Sequence, residues 1–371
     1  VGNDIPRIDY TDSTEGALLL ENSSTNLIPY SEDFSNAAWV KGGLSFVGGF
    51  SAPNGTNNAY KLVENTSTST HYLQEFISQA DGSTNTMSLF AKKAERNHIT
   101  IYCGGSFTDS YTFNLNNGTS VNNGNSTSKI ELISNGWYKC SVTSINKSRD
   151  VYIMSNNGDV GTSGVAYQGD GTSGIYIWGA MLESNSVASS YIPTNGSTVQ
   201  RAAETCNESG NSEVFNDSQG VVFANISALV EDNSVRYISL NDGSTSNRIR
   251  FGYTTPTNSF RLLVVSTGSA QVDLTEELSS ITLFNKLAIK YKENDFAIWS
   301  NGFKIAVYTS GITPSNLSQL DFDNASGGDD FYGKTKELGY YDIALTDEEL
   351  EYMTSYRSLN EMVTELNLNA L

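Results

Sequence analysis

The feature that most constrains this chain is the rhythm of its apolar residues. They come in short runs rich in β-branched and aromatic side chains, each closed by a cluster of Asn, Gly and Ser. The clearest early runs are Leu44–Val47, Ala59–Glu64, His71–Ile77, Thr86–Lys92, His98–Cys103, Tyr111–Asn114, Lys129–Ile133, Tyr138–Ile145, Val151–Met154 and Gly174–Leu182. Between them stand turn clusters such as Asn116-Asn-Gly118, Asn122-Asn-Gly124 and Asn156-Asn-Gly-Asp159. Asn-Gly supplies the positive φ that tight hairpins require. Short strands recurring every ~8–12 residues with such turns predict an all-β chain folded as sandwiches.

A second series follows: Gly220–Ala228, Arg236–Asn241, Arg248–Tyr253, Phe260–Ser266, Ala270–Leu274, Asn285–Lys292, Asp295–Ser300, Lys304–Ser310 and Lys336–Tyr341. In the clearest of these, Leu287, Ile289 and Tyr291 alternate with Ala288, Lys290 and Lys292, one apolar face and one polar. The stretch between the two series is polar and aperiodic. The sequence therefore divides into an extension with a first strand (1–25), a sandwich (26–200), a linker (201–219) and a second sandwich (220–371). A length of 371 residues fits two cores better than one. One terminal helix is expected from Thr346, a capping residue, with Asp347, Glu348 and Glu349 in its first turn. Leu345, Leu350, Met353, Leu359, Met362, Val363 and Leu366 recur there at helical spacing. The tail Leu366-Asn-Leu-Asn-Ala-Leu371 has a strand-like alternation that suits pairing with a neighbour's sheet edge.

Only 17% of residues are charged, so Asn, Ser, Thr and Gly must cover the surface. The formal net charge of −19 argues against nucleic acid and anionic membrane as partners, since both select a basic face. It leaves neutral ligands or a bound cation. No run of about 18 apolar residues occurs. The start, VGNDIPRIDY, lacks a basic and apolar leader pattern and reads as a processed or trimmed beginning. Cys103, Cys140 and Cys206 form neither a disulfide framework nor a zinc pattern. Cys103 and Cys140 read as buried small hydrophobes, with a cross-sheet pair as the alternative. Two histidines, His71 and His98, leave little room for histidine-based catalysis or metal binding.

Several stretches carry a resemblance. In the first sandwich they are Ala17-Leu-Leu-Leu-Glu21, Thr25-Asn-Leu-Ile-Pro-Tyr-Ser-Glu-Asp-Phe34 with Trp39, and Asn135-Gly-Trp-Tyr-Lys-Cys140. Gly169-Asp-Gly-Thr-Ser-Gly-Ile-Tyr-Ile-Trp-Gly-Ala-Met-Leu-Glu183, Ser190-Tyr-Ile-Pro-Thr194 and Arg201-Ala-Ala203 complete them. Their order and spacing resemble a module common in tailed-bacteriophage structural proteins, similar to carbohydrate-binding-module jelly rolls. Leu287-Ala-Ile-Lys-Tyr291, Ala297-Ile-Trp-Ser-Asn-Gly302 and Glu337-Leu-Gly-Tyr-Tyr-Asp-Ile-Ala-Leu-Thr-Asp-Glu-Glu-Leu350 resemble a concanavalin A-like, laminin-G-like sandwich. Together the two resemblances imply tandem jelly-roll and concanavalin-like sandwiches with a short C-terminal helix, and a virion-surface, extracellular setting. Neither carries a catalytic signature.

An exposed indole or phenol stacks on a pyranose, so the aromatics are the candidate glycan contacts. Trp137, Trp178 and Trp299 lie in apolar strands and read as core. Trp39, in a less regular stretch, is the exposed candidate, with Tyr30, Tyr72 and Tyr111 as further loop or strand-edge aromatics. Asp321, Asp323, Asp329 and Asp330 flank a Gly-rich loop, a donor set that suits calcium without an EF-hand register; a solvated loop is the alternative. No cofactor is required by any motif. The glycosidase pattern Glu-x-Asp-x-x-Glu is absent. A lyase of this fold would place His and Tyr with Arg and Gln on its concave face; His71-Tyr72-Leu-Gln74 holds the right residue types, and His98 follows Arg96. The reading that follows is a non-catalytic virion adhesin or fibre protein binding host-surface polysaccharide, beside other virion subunits and as a homotrimer. The alternatives are a polysaccharide lyase or glycoside hydrolase, and a purely structural capsid or tail decoration protein.

Overall fold

The computed structural model describes residues 5–77, 84–103, 110–123, 127–145, 149–158 and 166–365. Gly124, Asp159 of the turn cluster Asn156-Asn-Gly-Asp159 and the tail 366–371 lie outside the described residues. Among the described residues the regular structure is antiparallel sheet, with two short helices near the C-terminal end. No helix among them is long and apolar enough to cross a membrane.

The chain divides into two compact units. One is continuous, Ser23–Ala202. The other is assembled from Val1–Asn22 and Ala203–Leu371, the segments that flank it in sequence.

The continuous unit is a sandwich of two six-stranded sheets. One runs Thr119–Asn123, Ser110–Asn114, His98–Cys103, Arg149–Asn156, His71–Ile77, Val40–Gly42. The other runs Thr127–Ser134, Trp137–Ile145, Thr84–Lys93, Gly174–Glu183, Ala59–Glu64, Leu44–Phe50. Period-two alternation sends Leu73, Ile99, Ile101, Phe113, Val151 and Ile153 from the first sheet and Leu62, Leu89, Ala91, Cys140, Val142 and Ile177 from the second into one core. The hairpin Asn135-Gly136 has φ of 50° and 78°, the mirror-image turn that matches strand twist. A second layer of Trp137, Trp178, Phe90, Phe50 and Tyr191 covers the outside of the second sheet, with the Trp178 indole donating to Asn58 Oδ1 at 2.9 Å. Cys103 and Cys140 are buried and free, and burial pushes the Cys103 thiol up to about 12.

In the split unit a seven-stranded sheet runs Ile8–Asp9, Ala17–Leu20, Gly333–Tyr341, Gln219–Ala228, Asn285–Lys292, Phe296–Ser300, Phe303–Tyr308. It packs on a five-stranded sheet running Ser269–Glu277, Ser259–Ser266, Arg248–Thr254, Arg236–Asn241, Gln319–Asp321. The first strand expected in 1–25 forms at Ala17–Leu20 and belongs to this sheet: Leu18 pairs with Thr335 and Leu20 with Gly333. The stretch 203–219, read as linker, differs too. Phe215 is buried in the core, Cys206 packs against it, and Ser209 bridges to Leu320. Its polar residues cap and turn, while one aromatic anchors.

The C-terminal helix is broken. Thr346 caps Asp347–Thr354 through a capping box with Glu349. Ser355 then turns extended, and a second helix spans Leu359–Glu365. Thr354 and Ser355 hydroxyls donate to the Leu350 and Glu351 carbonyls, the local competition that ends Ser/Thr-rich helices. Leu350 is buried against Val221, Phe223, Ala288, Ala297 and Trp299 on the outer face of the seven-stranded sheet. The face of Lys286 and Lys290 is consequently not solvated. Both are buried, paired with Glu361 and Asp295.

Candidate functional site

Two of the four aromatic candidates are core. Trp39 is 1% exposed, its ring 5.3 Å from Phe34 and its Nε1 donating to Tyr30 O at 3.0 Å. The Trp39 side chain joins the sandwich core instead of opening to solvent. Tyr111 is 4% exposed because it shares the inward face of its strand with Phe113. Tyr30 is half-buried and supplies its backbone carbonyl to Trp39.

Tyr72 has a different position. It alternates with core residues His71 and Leu73, so it stands on the outer face of the first sheet. Its ring lies over Gly42, where a Cβ would approach its Cε1 to 2.1 Å; only glycine leaves that space. Register places Gln74 opposite Tyr152, and Tyr152 opposite Tyr102 on the next strand. The rings form a ladder: Tyr72 to Tyr152 is 5.6 Å and Tyr152 to Tyr102 is 5.4 Å between centroids. Gln74 Nε2 donates to Asp150 Oδ2 at 3.4 Å beside them. Burial, then the charges of Asp150 and Tyr72, raises the Tyr152 phenol above its ordinary value, so the ring stays a neutral donor. Phe76, 65% exposed, continues the outward row opposite Asp150. Deeper on the same face, Asn156 donates to Thr100, whose hydroxyl lies 2.7 Å from that of Thr112. Tyr102, Gln74, Thr100, Thr112 and Asn156 are buried, so the part of this face open to a ligand is Tyr72, Tyr152 and Phe76 with Asp150: apolar plates edged with carboxylate and phenol groups, a combination that grips a sugar ring and its hydroxyls. Tyr102, Tyr152 and Phe76 were not singled out from sequence. Alternation of Tyr152 with Val151 and Ile153 was the available signal.

The acidic loop of the split unit is committed to amide and hydroxyl donors. Asp321 accepts from Glu208 N at 2.6 Å, Asn241 Nδ2 at 2.8 Å and Gln319 Nε2 at 2.7 Å. Asp323 accepts from Asn207 Nδ2 at 3.0 Å and Ala325 N at 2.6 Å. Asp329 accepts from Asn324 Nδ2, and Asp330 from Tyr332 OH. No group of three or more His, Cys, Asp or Glu that suits a metal ion occurs among the described residues. In the structure the carboxylates of Asp321, Asp323, Asp329 and Asp330 accept hydrogen bonds that hold the loop.

The lyase set is not brought together either. His71 points into the core, its Nδ1 2.8 Å from Gly43 O and its Nε2 3.3 Å from Tyr167 O, while Tyr72 and Gln74 face the other side of the sheet. Arg96 is held by Glu64 through Nε at 2.9 Å and Nη2 at 2.5 Å.

No family model matches the chain, and no curated protein does. Among solved structures, the chain is similar to the Ruminococcus gnavus IT-sialidase CBM40, with 14% identity and a TM-score of 0.33 over 41% of this chain and 97% of that one. It is also similar to a putative carbohydrate binding protein from Bacteroides ovatus, with 14% identity and a TM-score of 0.30 over 79% and 82% of the two chains. Mouse laminin alpha1 chain domains LG4-5 align with 12% identity and a TM-score of 0.28 over 83% of this chain and 94% of that one.

Proposed function

We propose that this protein is a glycan-recognition protein that binds a sugar chain on the tyrosine face of its continuous sandwich, without turning it over. The observation that supports this is the pair of rings Tyr72 and Tyr152, with exposed Phe76 and half-buried Asp150 beside them, on a sheet face pointed away from the core. Aromatic plates recognise the apolar face of a pyranose, and the flanking polar groups select its hydroxyls. The finer reading is attachment: a virion-surface or fibre protein that holds host-surface polysaccharide in several copies, beside other virion subunits. Weak single sites gain from such multiplicity.

A glycan array followed by calorimetric titration tests the binding. A neutral oligosaccharide is expected to bind, and Tyr152→Ala is expected to weaken it about tenfold or more. Reducing ends followed in the same mixtures should not rise. Absence of binding to every glycan removes the reading; new reducing ends make the protein an enzyme. Copy number is read by light scattering on the full chain, with a trimer expected. A monomer at tens of micromolar removes the assembly part.

A further inference from the structure

The outer face of the five-stranded sheet of the split unit carries three arginines in a chain whose net charge is −19. Arg248 and Arg250 alternate with the core residues Ile249 and Phe251, and Arg261 with Phe260 and Leu262. Two of the three are neutralised or tied down. Arg261 forms a fork on Asp273, Nε at 2.8 Å and Nη2 at 2.7 Å. Arg248 donates to the Asn324 carbonyl of the loop that folds over this edge of the sheet.

Arg250 is the exception. Register puts it between Ser239 on one side and Leu263 on the other, in the middle of the face. It is 8% exposed, and its guanidinium lies 4.0 Å from the centre of the Tyr237 ring. Among the described residues it has no hydrogen bond and no ion pair, and its Nε is sealed from solvent without an acceptor. A buried cation with no counter-ion costs several kcal/mol in general, so folds keep one where something else completes it. Burial, together with the nearby Arg261, lowers the Arg250 pKa, and burial with Arg250 itself lowers that of Arg248. Burial is the first cause of both shifts, and the carboxylate of Asp329, with that of Asp273 for Arg250, acts against it.

We propose that Arg250, backed by Arg248 and standing on Tyr237, is the anchor of a second binding site that takes the carboxylate of an acidic sugar. A guanidinium offers a planar fork that matches a carboxylate bidentately. The ligand is a monoanion because one cation is uncompensated and the carboxylates of Asp329 and Asp273 already act on the cluster. Leu263 and Val265, opposite Arg250 and Arg248 in register and both buried, are the apolar neighbours of the cluster. The sugar half of this assignment rests on the glycan reading above; the anion half stands on Arg250 alone.

The test is calorimetric titration of the full-length protein with an oligosaccharide of glucuronic acid, its glucose counterpart, acetate and sulfate. The glucuronic acid oligosaccharide is expected to saturate wild type, with affinity falling as salt rises. Arg250→Met should weaken it about tenfold or more, while Tyr152→Ala leaves it unchanged, which separates this site from the tyrosine face. Equal binding of the glucose oligosaccharide, or retention in Arg250→Met, overturns the proposal. Acetate and sulfate binding as tightly as the sugar acid show a bare anion hole and overturn its sugar class. The melting temperature of Arg250→Met should hold or rise; a fall of more than about 5 °C assigns Arg250 a structural role and also overturns it. Hydrogen exchange on wild type gives a reading independent of the variant: sugar-acid protection must appear in Arg236–Asn241 and Arg248–Thr254, and its absence there refutes the site.

Discussion

Glu75 lies between Leu73 and Ile77 on the core-facing side of its strand, with Val151 across from it and Cys103 one strand further. It is 3% exposed, and its Oε2 has no hydrogen-bond partner. Burial alone pushes its carboxyl up to about 7. The Cys103 thiol beside it is uncharged, so no counter-charge offsets the carboxylate in that row. Below the unfolded value, both states are protonated and nothing is lost. As pH rises from there toward 7, the unfolded chain ionises first, and stability falls until the folded group ionises as well. Above that point the full penalty remains, about 3 kcal/mol at most for a shift of this size. Glu75→Gln should therefore match wild type near pH 4 and exceed it at pH 8 in urea denaturation. Parallel stability curves across that range would show that the carboxylate is solvated. Glu64 and Glu183 show the contrasting solution. Glu64 is met by Arg96, Tyr167 and the Asp170 amide, and Glu183 by Ser24 and Ser189.

At the scale of elements, long strands were legible because burial on one face writes a period of two into the residues. His71–Ile77, His98–Cys103 and Asn285–Lys292 have the bounds that alternation predicts. So was the turn cluster Asn116-Asn-Gly118, where Gly118 takes a φ of 70°. Strands held by backbone pairing alone left no such mark. Thr119–Asn123, Gln319–Asp321 and the pair Ser24–Asn26 with Val199–Arg201 are built from residues that elsewhere make loops. The site was legible only in part for a related reason. Alternation tells which residues share a face, and it correctly opposes Tyr72 to Leu73 and, read with care, would have placed Tyr111 inward with Phe113. It does not reveal what covers a face. Lys286 and Lys290 look solvated in sequence and are buried in the fold, and nothing in the string Arg248-Ile-Arg250 shows that the first arginine reaches the Asn324 carbonyl while the second reaches no acceptor among the described residues. Trp39 had no period to read at all.

At the scale of the whole molecule, the unit that begins the chain also ends it. Ala17–Leu20 pairs with Gly333–Tyr341 across more than three hundred residues, a contact no local pattern encodes. Within this unit the two crossing points lie side by side: Glu204 N donates to Glu21 O at 3.0 Å, Glu21 N to Glu204 Oε2 at 2.8 Å, and Arg7 pairs with both carboxylates. Chain ends that close together need only a short turn to join them, and units with adjoining ends tolerate insertion and excision. The sequence 23–202 is therefore expected to be removable. A chain in which Asn22 is joined to Ala203 through a short Gly/Asn turn should fold with one cooperative urea transition and a β-type circular dichroism spectrum. Removing residues 1–22 from that same chain should cost several kcal/mol, because it uncovers the Gly333–Tyr341 edge and strips buried Leu20, worth about 1.5–3 kcal/mol, from the core. If the excised chain is molten or aggregates while the continuous sandwich folds alone, the flanking segments are not a self-sufficient unit. If it folds equally well without residues 1–22, the first strands are an appendage and not part of the sandwich.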